Sequence, residues 1–188
     1  LYPLPRSTQR QTIGVGDRPV FVGADLWTAY ELSWLNMRGK PQIAMARMVV
    51  PSESTHLVES KSLKLYLNSL NNHRVPNVDA LTNLIANDVN PALWGDTTPS
   101  GQALVKVITP EAFEAEKITT LPGLSIDRLD IEIDHPAYDP SLLHVHTDEG
   151  VVEETLTSNL LRALWRVTGQ PDWGSVQIDY AGKPIDQA

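Results

Sequence analysis

The sequence predicts an α+β fold on three observations. Two apolar stretches of period two flank a turn, two stretches of helical spacing follow, and strand periodicity then returns. Residues 1–19, with Pro3, Pro5, Gly14, Gly16 and Pro19 and no apolar period, read as an extended arm. From Leu26 to Leu35, the side chains of Leu26, Tyr30, Leu32 and Trp34 alternate with their neighbours, so one face of a strand should point inward. Asn36 to Pro41 supplies turn chemistry, and Ile43, Met45, Val49 and Val50 resume the run to Pro51, which completes a β-hairpin. Between Ser62 and Asn72, Leu63, Tyr66, Leu67 and Leu70 form one helical stripe. After Pro76 a second stripe of Val78, Leu81, Leu84 or Ile85, and Val89 predicts a helix ending at Asn90-Pro91. Ala103–Ile108 reads as a strand, and so does the alternation of Leu129, Ile131 and Ile133 with Asp130, Glu132 and Asp134.

The stretch from Val151 to Val167 is pulled two ways. Leu156, Leu160 and Leu164 lie at helical spacing among good helix formers, with Gly169 as a stop. A shift of 130 residues, however, lays Trp34, Gly39 and Pro41 over Leu164, Gly169 and Pro171, and Tyr30 over Leu160. A duplicated unit would make Val151–Val167 the opening strand of a second hairpin and Ser175–Tyr180 its return. The organisation expected is an arm over 1–19, a first module over 20–150, and the opening hairpin of a second module over 151–188.

Composition narrows the function. The chain has 188 residues, 41% hydrophobic and 20% charged, the balance of a globular protein with a core. A net charge of −8 with no basic stripe disfavours nucleic acid as a direct partner. No apolar run is long enough to span a bilayer, and the first residues lack the basic-then-apolar order of a secretory signal. A cytoplasmic location is therefore expected. The chain opens on Leu1 rather than Met, so its natural start is expected to lie upstream. Cysteine is absent, which removes disulfides, Cys-zinc sites and thiolate nucleophiles together.

Three segments carry a resemblance: Gly23-Ala24-Asp25-Leu26-Trp27-Thr28-Ala29-Tyr30-Glu31-Leu32-Ser33-Trp34-Leu35, Val58 to Ser69 with its Glu-Ser-Lys-Ser-Leu-Lys-Leu-Tyr block, and Gln170-Pro171-Asp172-Trp173-Gly174-Ser175. From about Arg6 to Ala188 the chain resembles the two-module form of 7-cyano-7-deazaguanine reductase. That family has the tunnelling fold (T-fold) shared with GTP cyclohydrolase I. It reduces the nitrile of a free deazaguanine base to an aminomethyl group with two NADPH, on the route to the tRNA nucleoside queuosine.

The resemblance implies site residues. Val58, Glu59 and Ser60 would hold the base, Ser60 and Lys61 would hold NADPH, and Asp172 would donate the proton to the nitrile nitrogen. A glutamate suits the N–H edge of a guanine-like ring, and a lysine at a helix start suits a phosphate. In the family a cysteine thiolate first adds to the nitrile to give a thioimide, which accepts hydride. That cysteine, in a Ser-Asn-Cys segment seven residues before the aspartate, falls on Ala163-Leu164-Trp165 here. Trp165 has no nucleophilic lone pair at neutral pH, so little or no turnover is expected; Ser158 and Ser175 do not substitute. The family's later His-Glu and Arg-Gly pairs are not present before Ala188, and a bare second hairpin would leave an apolar face open, so homo-oligomerisation is expected. The alternative is a non-catalytic T-fold protein that binds a purine-like base or serves as a structural subunit.

Other candidates have plainer readings. His144 and His146 could ligate a metal with Asp148 or Glu149, but no third ligand is fixed, so an exposed strand end is preferred and no metal is expected. Gly14-Val15-Gly16 lacks the strand and third glycine of a dinucleotide fingerprint and reads as a loop. Asp130, Glu132, Asp134, Glu153 and Glu154 read as a wet sheet face. Trp173 either walls a base pocket or, by the residues alone, fills the core.

Overall fold

A computed structural model describes residues 1–16, 20–133, 139–165 and 167–187. It divides into two compact units, Leu1–Lys117 and Ile118–Ala188. Residues 118–150, expected with the first module, fall in the second unit.

The first unit opens with strand β1 (Pro3–Pro5) and helix α1 (Arg6–Thr12). The arm is therefore extended only at its start. The hairpin follows as β2 (Ala24–Leu35) and β3 (Pro41–Pro51), antiparallel, with Gly39 at φ +82° in the turn. Next come β4 (His56–Val58), helix α2 (Ser60–Ser69) with a 3-10 turn over Leu70–Asn72, helix α3 (Val78–Trp94) and strand β5 (Leu104–Ile108). The main sheet has the order β2-β3-β5, and β1 pairs with β4 in a separate two-stranded sheet. Leu32, Trp34, Ala44, Ala46, Met48 and Val50 form the apolar face of the main sheet. Leu63 and Leu67 of α2, and Leu81, Ile85, Val89 and Leu93 of α3, complete the same core.

The inward face of β2 differs from the simple alternation. Ala29 pairs with Ala46, but the next pair is Leu32 with Ala44, so a β-bulge inserts one residue and reverses which side chains face the helices. Leu32 and Trp34 are buried as expected, whereas Leu26 and Tyr30 are 72% and 74% exposed; Trp27 and Ala29 take the inner positions.

Helix α3 runs through Pro91 instead of stopping there, so Leu93 and Trp94 join the core. Asn90 supports this last turn: its Nδ2 donates to the Ala86 carbonyl at 2.9 Å, and its Oδ1 accepts from the Ala103 N–H at 2.9 Å, next to β5. Asn77 caps the other end, its Oδ1 accepting from the Ala80 N–H. The Tyr66 hydroxyl donates to Asp88 at 2.6 Å, tying α2 to α3, and burial followed by that carboxylate pushes the phenol pKa up.

The second unit holds β6 (Leu124–Ser125), β7 (Val152–Leu164) and β8 (Pro171–Gly182) in that order, with β6 parallel to β7 and β7 antiparallel to β8. The duplicated-hairpin reading therefore prevails over helix propensity between residues 152 and 164. Residues 129–133 form no strand; the chain pairs with β7 at Leu124–Ser125, bonds it again through Ile126 N–H and the Asp127 carboxylate, and turns over Ile126–Leu129. Alternating side chains alone do not make a strand when no neighbouring edge takes up the backbone groups. Asp134 lies outside the described residues. Glu153 and Glu154 lie on β7, where Glu154 accepts from the Tyr180 hydroxyl; burial and then that carboxylate raise the pKa of Tyr180. Gly14-Val15-Gly16 is a loop.

Two substitutions test these elements. Ile85→Ala, at a side chain with no solvent exposure, should cost about 2–5 kcal/mol in urea unfolding. At Gly123 (φ +140°) an added Cβ would lie 2.7 Å from Thr155 Cγ2 and 2.9 Å from the Thr155 carbonyl oxygen. Gly123→Ala should therefore destabilise the β6–β7 contact by about 1–3 kcal/mol, read as faster amide exchange at Ile126, whose N–H donates to Thr157 O.

Candidate active site

The first cluster sits where β4 passes into α2. Val58, buried, ends β4, and Glu59 occupies the N-cap of α2 in extended conformation. The Glu59 carboxylate takes two of the unpaired donors of the first helical turn: Oε1 accepts from Lys61 N–H at 2.8 Å and Oε2 from Ser62 N–H at 2.6 Å. The Ser62 hydroxyl returns the contact to the Glu59 carbonyl at 2.8 Å. The backbone N–H of Lys61, then that of Ser62, hold the Glu59 pKa below the ordinary carboxylate value. Glu59 is thus charged, half-buried and fixed in direction. Each oxygen accepts one backbone bond, and Oε1 takes in addition a long contact from the Ser60 hydroxyl at 3.5 Å, so Oε2, and Oε1 once that hydroxyl turns away, keeps acceptor capacity for a ligand.

Beside this turn, between β2 and α2, lies a cleft of about 710 Å³ whose wall includes Trp27, Tyr30, Leu32, Ser60, Leu67 and Phe113. Of the four residues singled out from sequence on this turn, Ser60 lines the cleft. The cap also changes the phosphate argument for Lys61. Glu59 already occupies the backbone donors of Lys61 and Ser62, so the donors for an anion are the Lys61 ammonium and the Ser60 hydroxyl rather than the helix end itself.

The second cluster sits at the turn end of the β7–β8 hairpin. Trp165 is the first residue after β7 and opens the turn: its N–H donates to Gln170 O at 2.9 Å, and its carbonyl accepts from Gly169 N–H at 2.8 Å, with Gly169 at φ +69°. Its indole is 59% exposed. Asp172, the second residue of β8, pairs with Ala163 and is exposed. Trp173 does not fill a core; it is exposed, with the Arg162 guanidinium 6.0 Å from its ring centre. Trp165 and Asp172 therefore share one hairpin end, and Val58 to Lys61 share one helix start.

His144 and His146 flank Val145, which bridges Ile185; their backbones bond to Asp186 N–H and Pro184 O. Among the described residues no group of three His, Asp or Glu is placed to hold a metal, and no helix is long and apolar enough to cross a membrane.

Two groups of residues escaped the sequence reading. Ser62 closes the reciprocal cap, a role that a glutamate three positions before a serine could have signalled. Asp127 clamps a second bulge: on β7, Ser158 pairs with Val176 but Leu161 with Gly174. The Asp127 carboxylate accepts from Ser158 Oγ at 2.7 Å and from Asn159 N–H and Nδ2 at 3.1 Å, and the Ser158 hydroxyl is the main cause of its lowered pKa. No local pattern marks that contact, because it joins residues 31 apart.

Residues 1–98 match the family model described as the N-terminal part of the nitrile reductase 7-cyano-7-deazaguanine reductase. A protein of Paracidovorax citrulli named NADPH-dependent 7-cyano-7-deazaguanine reductase is 50% identical over 188 residues, covering all of this chain and 67% of its own length. Proteins of the same name from Albidiferax ferrireducens and Burkholderia thailandensis are 52% and 48% identical, with 68% and 66% of their lengths covered. The chain thus spans about two thirds of these relatives. A match that takes in the whole chain at about half identity makes this chain a member of the 7-cyano-7-deazaguanine reductase family.

Proposed function

We propose that this chain recognises 7-cyano-7-deazaguanine through the Glu59 turn and works with NADPH, as its relatives' names state for them, but does not carry out the covalent step at Trp165. The single observation behind this reading is the Glu59 carboxylate held at the start of α2 with acceptor capacity left for a ligand. The ring N–H and exocyclic amine of a guanine-like base form a paired donor edge that such a carboxylate matches. Val58 supplies the apolar end of β4 beneath it, and Ser60 reaches the cleft.

The fit to NADPH rests on Ser60 and Lys61, a hydroxyl and a fixed positive charge on the first turn of α2. When bound, the nicotinamide supplies hydride. Asp172 is the group assigned to hold the proton destined for the nitrile nitrogen, and its place opposite Ala163 on the hairpin end is consistent with that role. The nucleophile position is where the chemistry departs. A nitrile carbon accepts hydride poorly until a thiolate has added to it, and an indole offers neither a lone pair nor space. We assign the chain to the T-fold, with assembly into homo-oligomers in the cytoplasm; the antiparallel hairpins with matching bulges support that assignment.

Calorimetric titration of the purified chain with 7-cyano-7-deazaguanine should give base binding without NADPH oxidation; oxidation coupled to amine formation would overturn the reading of Trp165. Glu59→Gln should weaken base binding by about tenfold or more, since a charge-assisted pair becomes a neutral one and the α2 cap is weakened. Trp165→Cys should restore a covalent adduct, seen in the intact-protein mass as an addition of one base.

A further inference from the structure

The arm of the first unit touches the Glu59 turn, and its anchorage lies at the far end of the same short strand. Residues Tyr2/Glu59 and Arg6/Thr55 are hydrogen-bonded partners: Glu59 N–H donates to Tyr2 O at 2.8 Å and Arg6 N–H to Thr55 O at 3.0 Å. Pro3 and Pro5 fall between them, opposite Val58 and His56, at the alternate positions where a ladder needs no N–H. At the Glu59 end the Tyr2 N–H donates to the Ser62 hydroxyl at 2.8 Å, the same hydroxyl that binds the Glu59 carbonyl. The arm therefore closes one side of the capping arrangement.

Little apolar burial holds this arm. β1 is exposed throughout and α1 buries no side chain. Its deeper side chains are Arg6, whose side chain is 11% exposed, and Arg10, whose guanidinium donates to the Ser52 carbonyl. The Arg6 guanidinium pairs with Asp25 at the start of β2, and its Nε donates at 3.0 Å to the Ser54 hydroxyl, which is fully buried and itself bonds the His56 carbonyl. A charged, directional anchor thus fixes one end of a strand whose other end braces the Glu59 turn. Removing it leaves the Arg10–Ser52 contact at the far end of α1, while β1 beside the turn keeps only a few exposed bonds, which water replaces at small net cost.

We propose that Arg6 is a positioning residue: by latching the arm to Asp25 and Ser54 it holds Tyr2 against Glu59 and Ser62, and so fixes the direction of the Glu59 carboxylate. Its consequence for ligand affinity rests on Glu59 being the base-binding group; its consequence for the turn does not.

The test is amide hydrogen exchange and base titration on the whole chain and on its Arg6→Ala and Asp25→Asn variants. Both variants should speed exchange at Glu59, Lys61 and Ser62 by about tenfold or more, a shift of about 1.4 kcal/mol in opening, while α3 and the β2–β3 pairing keep their protection. Affinity for 7-cyano-7-deazaguanine should fall in parallel, and Arg6→Lys, which keeps the charge, should recover part of it. Unchanged exchange at those three amides would overturn the latch. So would a uniform rise across the first unit, which would make Arg6 a general stabiliser. If the unaltered chain binds no base, the reading of Glu59 fails, and the exchange data still decide the latch.

Discussion

The first unit turns on one carboxylate. Glu59 ends the extended segment from β4 and supplies the acceptors that the first turn of α2 lacks, so strand and helix are joined through a side chain rather than through a loop with its own packing. The arrangement places negative charge on a half-buried group and keeps it ionised, because protonation would remove the charge that two backbone N–H groups face. The sign follows from the lowered pKa. What the carboxylate contributes is present above its unfolded value and fades as pH falls through the lower folded one. At neutral pH the turn is in its charged form throughout.

Most of the fold was legible because apolar spacing reports burial directly. Leu63 and Leu67 on α2, Leu70 in the 3-10 turn after it, and Leu81, Ile85 and Val89 on α3 sit in the core as their spacing requires. The misread positions share causes that spacing cannot carry. Leu26 and Tyr30 are exposed because a bulge shifts parity partway along β2. Residues 129–133 alternate correctly but find no partner edge. Pro91 stays within α3 because Asn90 ties the last turns to the residues entering β5, a tertiary contact that outweighs the local preference for a break. Each depends on something distant in the chain.

The candidate site divides in the same way. The Glu59 turn was legible as a block of residue types, and Trp165 as a departure from that block's family. The reciprocal cap through Ser62 and the bracing by Tyr2 were not, since they depend on which hydroxyl and which backbone group the fold brings within 3 Å. The exposure of Trp173 also escaped: a tryptophan beside an apolar run is more often interior, and only the hairpin's position at the end of its sheet leaves the ring beside Arg162.

The two hairpins can be compared position by position up to residue 165. A uniform shift of 130 residues was the sequence-level match, yet the pairings give 129 on the opening strands, Leu35 to Leu164 and Leu32 to Leu161, and 130 on the return strands, Pro41 to Pro171 and Ala44 to Gly174. The difference is one extra residue in the second turn. By this register Trp165 corresponds to Asn36, each opening its turn by donating N–H to the residue before the return strand. In the first hairpin that position is spent on structure: Asn36 Oδ1 accepts from Arg38 and Lys40 N–H at 2.9 and 3.0 Å. In the second, the longer turn closes through backbone bonds from residues 165, 169 and 170, which leaves the side chain at 165 free of that duty. A position whose side chain does not hold its own turn can change from a thiol to an indole while the hairpin stays formed. The strands, bound by register and bulge, do not have that freedom. The side chain at this hairpin end can therefore vary without the fold being lost with it.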